Sequence, residues 1–144
     1  MSRISAEEFE NITRDRVPFV GQLGVIVEDI RAGDARLRLP FRDDFIRPGG
    51  TISGPVMMAL ADLALYAAVL SKIGPVELAV TTNLNINFLR RPLPADIIAE
   101  AKLLKLGKRL AVGEVALFLE DDEDMVAHVT ATYSIPPEYG DETP

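Results

Sequence analysis

Residues 55–70, Pro-Val-Met-Met-Ala-Leu-Ala-Asp-Leu-Ala-Leu-Tyr-Ala-Ala-Val-Leu, form an apolar run of helix-forming residues interrupted by one acid, Asp62. Apart from the Tyr66 phenol, no other ionisable side chain falls inside it. A helix that is apolar nearly all the way round must be buried on most sides. The rest of the chain therefore has to wrap it. A carboxylate in such a segment is costly to desolvate unless something pairs with it. Asp62 either bonds to neighbouring backbone, reaches solvent through a gap, or is a reactive group.

The flanks agree with a helix over this run. Ser53 or Gly54 can cap it, Pro55 suits the first helical position, and Gly74-Pro75 closes it. Upstream, Ser5-Ala-Glu-Glu8 reads as a capping box opening a short helix to about Arg14, stopped by Pro18. Phe19–Leu23 is an apolar connector or a further helical turn. Strands are expected over 24–30 and 34–39, joined by a turn at 31–33, with Pro40–Gly50 an irregular loop. Three more are expected over 78–89, 96–106 and 125–135, plus a partner at 109–119 that turns back on 96–106 through Gly107-Lys108. Along 78–89, Leu78, Val80, Leu84, Ile86 and Phe88 alternate with Thr81, Asn83, Asn85 and Asn87, which puts each set on its own face. Short connections favour antiparallel neighbours. The result is an α+β chain: a sheet curled around one long helix. Exposed strand edges favour dimerisation. One domain over 1–136 and a polar tail over 137–144 are expected.

Composition removes several function classes. The chain has 144 residues and a net charge of −7, which argues against nucleic acid as a partner. With no cysteine there is no thiolate metal site and no cysteine nucleophile. The single histidine, His128, leaves little room for a metal site or a Ser-His-Asp triad. The N-terminus lacks the apolar core of a signal peptide. The Asp62 segment is read as too short and interrupted to span a membrane. A soluble cytoplasmic protein is the expectation.

The chemistry rests on two places in the helix. At Ser53-Gly54, unpaired N–H groups and the macrodipole can hold an oxyanion, with glycine permitting close approach; a plain cap explains the same residues. Asp62 can activate water or attack an acyl carbon. Eight residues separate positions 54 and 62, about 12 Å along a helix. One tetrahedral carbon cannot touch both in one chain. Two helices antiparallel across a two-fold axis can bring them together, which predicts a site shared between subunits.

Other residues are weighed beside these. Arg90-Arg91 follows a strand, and Lys102, Lys105, Lys108 and Arg109 gather at the Gly107 turn. Either set can hold phosphates or form a solvated surface. Arg47 approaches the site or pairs with Asp43 or Asp44. Met57, Met58 and Tyr66 suit a core or an acyl pocket. The Thr81, Asn83, Asn85 and Asn87 face is a hydrated surface, a dimer seam or a set that orients water. His128 is read as structural.

Several of these pieces together resemble the hotdog-fold acyl-CoA thioesterases of the phenylacetate-pathway (PaaI-like) type. They are Leu23-Gly24, Gly33-Asp-Ala-Arg-Leu-Arg-Leu39, Gly50-Thr-Ile-Ser-Gly54, Leu60-Ala-Asp62, Asn85-Ile-Asn-Phe-Leu-Arg-Arg-Pro92 and Gly107-Lys-Arg-Leu-Ala111. The resemblance runs from about Val17 to Ile135. It implies five or six antiparallel strands around one helix, dimers or tetramers, and hydrolysis of acyl-CoA to free acid and CoA without metal or bound cofactor. It places Asp62 on the acidic base or nucleophile, Gly54 on the carbonyl-polarising N–H, and Thr81 on a position that helps hold water. It places the two basic groups where the nucleotide end of CoA lies. Many members carry His-Gly-Gly at the helix start and Asn six residues before that His; here Ser53-Gly54-Pro55 and Arg47 stand there. The missing histidine motivates an alternative, an acyl-CoA-binding protein with little or no catalysis. A dehydratase, which would pair a His with an acid, is disfavoured by the late position of His128.

Overall fold

The computed structural model describes residues 1–137; the expected polar tail, Pro137 apart, lies outside them. Helix α1, Ala6–Arg16, opens with the expected capping box: the Glu8 N–H donates to Ser5 Oγ at 3.0 Å, and the Ser5 N–H donates to Glu8 Oε1 at 3.1 Å. Pro18 does not merely end it. It starts a second helix, α2, Pro18–Leu23, which Gly24 closes at φ 76°. Strands β1, Ile26–Arg31, and β2, Asp34–Leu39, form a hairpin. The 40–50 loop is more ordered than expected. It holds a 3-10 turn, Asp43–Phe45, and a small hairpin of β3, Ile46–Arg47, with β4, Thr51–Ile52.

Helix α3, Gly54–Ile73, carries Asp62. Gly54 takes its first position and Pro55 its second, where an N–H is equally dispensable. Every residue from Leu63 to Ser71 is buried. Its 20 residues are long and apolar enough to cross a bilayer, contrary to the expectation, yet 67% of its apolar window is buried inside the fold. A core helix meets the same compositional test as a membrane span, because each must shed water from all its faces.

The remaining strands are β5, Val80–Phe88; β6, Ile97–Leu106; β7, Leu110–Leu119; and β8, Met125–Ser134. They join β1 and β2 in one six-stranded sheet ordered β1-β2-β6-β7-β8-β5, antiparallel at every junction. The sheet wraps α3, which packs mainly on β2, β6 and β7. Inward residues of the central strands are small beneath the helix: Ala99, Ala101, Ala111, Gly113, Ala127 and Ala131. At Gly113 a β-carbon would lie 2.4 Å from Leu65 Cδ1 and 2.9 Å from the Lys102 carbonyl oxygen. Helix and sheet approach so closely there that only glycine fits. The edge strand β1 is covered by α1, whose Glu10 accepts the Val27 N–H at 3.1 Å. The other edge, β5, has no such cover among the described residues.

One strand departs from simple alternation. In β5 the register slips between Thr81 and Asn83, so Thr82 is an extra residue. Thr81 pairs with inward-facing Tyr133, and Leu84 with Ala131, while Asn83, Asn85 and Asn87 pair with outward residues Thr132, Thr130 and His128. Thr81 therefore shares the inner face with Leu84, Ile86 and Phe88, not the asparagine face as expected. Val80 crosses to the outer side and is exposed. A bulge re-aims side chains in this way, and a period-2 reading cannot place it.

Candidate active site

Asp62 is half-buried, and its neighbours come from two strands. Thr81 Oγ1 donates to Asp62 Oδ1 at 2.6 Å. The Tyr133 hydroxyl lies 2.8 Å from the same Oδ1 and 2.9 Å from the Asp62 backbone carbonyl. The β5 bulge thus delivers Thr81 to the carboxylate, and β8 delivers Tyr133 from below. Tyr133 stacks on Tyr66 at 6.0 Å and 16° between planes, and the Tyr66 hydroxyl donates to the Glu77 carbonyl at 3.0 Å. Burial pushes the Tyr133 phenol well above its ordinary pKa, and the Asp62 charge pushes it further. Burial also raises Tyr66. Both stay protonated donors at neutral pH.

A cavity of ≈ 290 Å³ opens over this cluster. Its walls are mostly apolar, with Phe19, Val20 and Leu63 among them, and Asp62, Thr81, Tyr133, Tyr66 and Glu77 are its polar lining residues. A small apolar space with a few convergent polar atoms is the usual form of a ligand site.

The other predicted residues lie elsewhere in the chain. Gly54 heads α3, with a Phe88 ring carbon 3.1 Å from where its β-carbon would be. Its N–H has no partner among the described residues. Ser53 stands at the cap position, but its hydroxyl makes no cap bond and is left for other partners. Gly54 does not line the Asp62 cavity, as the helical separation requires. Arg47 is exposed on the β3–β4 hairpin. It does not pair with Asp43 or Asp44; Arg42, which caps the 3-10 turn, takes Asp44 at 2.9 Å. Met58 is 39% exposed whereas Met57 is core. Asn83 lies on the outer face and accepts from Asn85 Nδ2 at 2.7 Å.

The two basic groups sit at opposite ends of the sheet. Arg90-Arg91 follows β5 at its Phe88 end, and Arg90 pairs with Asp124 in the acidic turn at 2.8 Å. Lys108-Arg109 precedes β7 at the end where β5 begins, beside a groove of ≈ 660 Å³. One chain does not bring them together. His128 finds a partner the sequence did not suggest, Glu114 at 2.8 Å. Tyr133 is the site residue that residue patterning missed. The available signal was a tyrosine at an inward strand position, since a buried phenol must find a hydrogen-bond partner.

Comparison with known proteins agrees with this fold. Residues 49–126, more than half of the chain, match the Thioesterase superfamily. A candidate thioesterase of known crystal structure from Silicibacter sp. TM1040 is 40% identical, superposes with TM-score 0.85 and is matched over 95% of each chain. The phenylacetic acid degradation protein PaaI of Thermus thermophilus is 29% identical with TM-score 0.74, covering 83% of this chain and 99% of that one. A candidate esterase from Halobacterium salinarum is 35% identical over 69% of each sequence. The chain belongs to the thioesterase superfamily and has its hotdog fold, as the resemblance implied. Thioester hydrolysis is the general activity that goes with that membership.

Proposed function

We propose that the chain hydrolyses acyl-CoA thioesters to a free acid and CoA, at sites shared between two copies of itself. Asp62 takes a proton from water as the water oxygen adds to the thioester carbonyl carbon. The carbonyl electron pair moves onto oxygen, held by the Gly54 N–H of the partner. Collapse expels the CoA thiolate, which recovers the proton from Asp62. In a second form of the same reaction Asp62 attacks the carbonyl itself and expels the CoA thiolate; water then cleaves the mixed anhydride, releasing the free acid, regenerating the Asp62 carboxylate and giving its second proton to the thiolate. Water, a carboxylate and backbone donors suffice for either route.

The observation that carries this reading is the Asp62 carboxylate, anchored by two hydroxyls at the edge of an apolar cavity. The open edge of β5 supports the shared site. Thr81, bonded to Asp62, is near one end of that strand, and Phe88, packed on Gly54, is at the other. Antiparallel pairing of two β5 edges about a two-fold axis near residues 84 and 85 sets Thr81 of one copy opposite Phe88 of the other. The partner's Gly54 then approaches Asp62 across the cavity. The same operation carries the partner's Arg90 and Arg91 toward the end of the sheet that holds Lys108 and Arg109. In that arrangement the two basic groups flank one place for CoA phosphates. Arg47, Met58 and Asn83 then lie near the seam, where they can contact substrate, and Ser53 can donate to the thioester in place of the absent histidine. A homodimer is the smallest assembly that completes the site; pairing of dimers into tetramers is compatible with it.

Replacing Asp62 with Asn tests the reading. The Asn oxygen still accepts from Thr81 and Tyr133, so the fold is kept while the base is lost. Thiol release from a panel of acyl-CoAs should fall by about a hundredfold or more. Unchanged release contradicts the mechanism. Tight acyl-CoA binding by the wild-type chain in calorimetry, with no thiol release, would select the alternative of a binding protein, which the His-to-Ser difference at position 53 favours.

A further inference from the structure

We infer that Tyr133 is a positioning residue for the hydrolysis: with Thr81 it holds Oδ1 of Asp62, so that Oδ2 is the oxygen presented to water or to the acyl carbon. The inference rests on the reading of Asp62 as the reactive carboxylate.

The two oxygens of Asp62 are not equivalent. Thr81 at 2.6 Å and Tyr133 at 2.8 Å both address Oδ1. Oδ2 has no hydrogen-bond partner among the described residues, and it is not a sealed buried atom. It therefore faces the cavity that Asp62 lines. An aspartate has two side-chain torsions, and donors from two different strands fix both. The Tyr133 hydroxyl also sits 2.9 Å from the Asp62 carbonyl oxygen, which ties the side chain to its own backbone.

Tyr133 is itself rigid. It is 3% exposed, pairs with Thr81 on one side and Ala111 on the other, and its ring stacks on Tyr66. Its raised pKa keeps it protonated through neutral and mildly alkaline pH, so it acts as a constant donor rather than as an acid or base. A group held this way needs no reorganisation when the reaction begins. A phenol that only needed an acceptor for its buried hydroxyl would be satisfied by the carbonyl alone. The sharing with Oδ1 is what links Tyr133 to the reacting group.

The test compares Tyr133→Phe, Thr81→Val and Asp62→Asn in the full chain, with phenylacetyl-CoA and hexanoyl-CoA as probes and thiol release as the signal. Tyr133→Phe keeps the ring stack and removes only the hydroxyl. Loss of one hydrogen bond to a carboxylate predicts a kcat lower by about tenfold to a hundredfold, with KM within about twofold of wild type. Thr81→Val should show the same split, and it decides the matter if Tyr133→Phe also lowers the melting temperature. Wild-type kcat in Tyr133→Phe beside an inactive Asp62→Asn overturns the inference and leaves the catalytic reading standing. A raised KM with unchanged kcat assigns the hydroxyl to substrate binding and also overturns it. An active Asp62→Asn removes both.

Discussion

The placement of Asp62 depends on how closely α3 lies on the sheet, and Gly113 sets that distance. A methyl group at position 113 would sit 2.4 Å from Leu65 Cδ1, 3.4 Å from Leu65 Cδ2 and 2.9 Å from the Lys102 carbonyl oxygen. Leu65 has no exposure, so its side chain has nowhere to retreat, and the carbonyl belongs to the paired strand β6. Overpacking of this kind costs about 1–3 kcal/mol. Stiffening of the unfolded chain by the new alanine returns about 0.4–1 kcal/mol. Gly113→Ala should therefore destabilise by about 1–2 kcal/mol, a fall in melting temperature of roughly 3–8 °C for a chain of this size. Leu65→Ala alone should cost about 2–5 kcal/mol through the cavity it leaves. The double variant should cost less than the sum, with a coupling of order 1 kcal/mol, because the smaller side chain makes room for the methyl. Thermal and urea unfolding at one fixed protein concentration measure all three, since association makes the midpoint concentration-dependent. Unchanged stability of Gly113→Ala, or strict additivity with Leu65→Ala, refutes the claim that helix and sheet touch here.

Further predictions concern charge. The Arg38 hydrogen bond, ahead of that of Arg36, holds the Glu28 carboxyl below its ordinary value. Glu28 thus adds stability that is present above its unfolded pKa, near 4.5, and is lost as pH falls through its lower folded value. Replacing Arg38 with Met should flatten the acid limb of melting temperature against pH, and high salt should shrink the difference. An unchanged acid limb counts against the pairing. The buried tyrosines act at the other extreme. Tyr66 and Tyr133 have folded pKa values raised above the ordinary 10, so their contribution is complete below pH 10 and fades as pH rises beyond it. Ultraviolet titration should show these two phenols ionising together with unfolding. Reversible ionisation of both in the native state near pH 10 contradicts their burial.

Much of the fold was legible because its driving force is local in sequence. The apolar run 55–70, bracketed by Ser53-Gly54-Pro55 and Gly74-Pro75, specified a buried helix, and the strands expected over 34–39, 96–106, 109–119 and 125–135 lie within a residue of β2, β6, β7 and β8. Asp62 stood out because a charge in that run has to be explained. What escaped had non-local causes. The bulge at Thr82, which turns Thr81 inward, is a register event between β5 and β8, invisible along one strand. Tyr133 joins Asp62 across 71 positions of sequence. Asp44 pairs with Arg42, two residues before it, and not with Arg47, which residue types alone do not distinguish. The separation of Arg90-Arg91 from Lys108-Arg109 is a property of strand order, which hydrophobic patterning does not encode.

The shared site is tested most directly by subunit complementation. Asp62→Asn removes the carboxylate. Gly54→Pro removes the backbone donor at a helical position where proline is tolerated, next to a half-exposed Phe88 that can move aside. Each variant alone should lack thiol-releasing activity. Co-refolding the two creates mixed dimers in which one site carries both changes and the other carries neither. Random pairing should then restore roughly a quarter of the wild-type sites. If mass spectrometry shows mixed dimers while activity stays at baseline, Asp62 and Gly54 do not meet across the subunits.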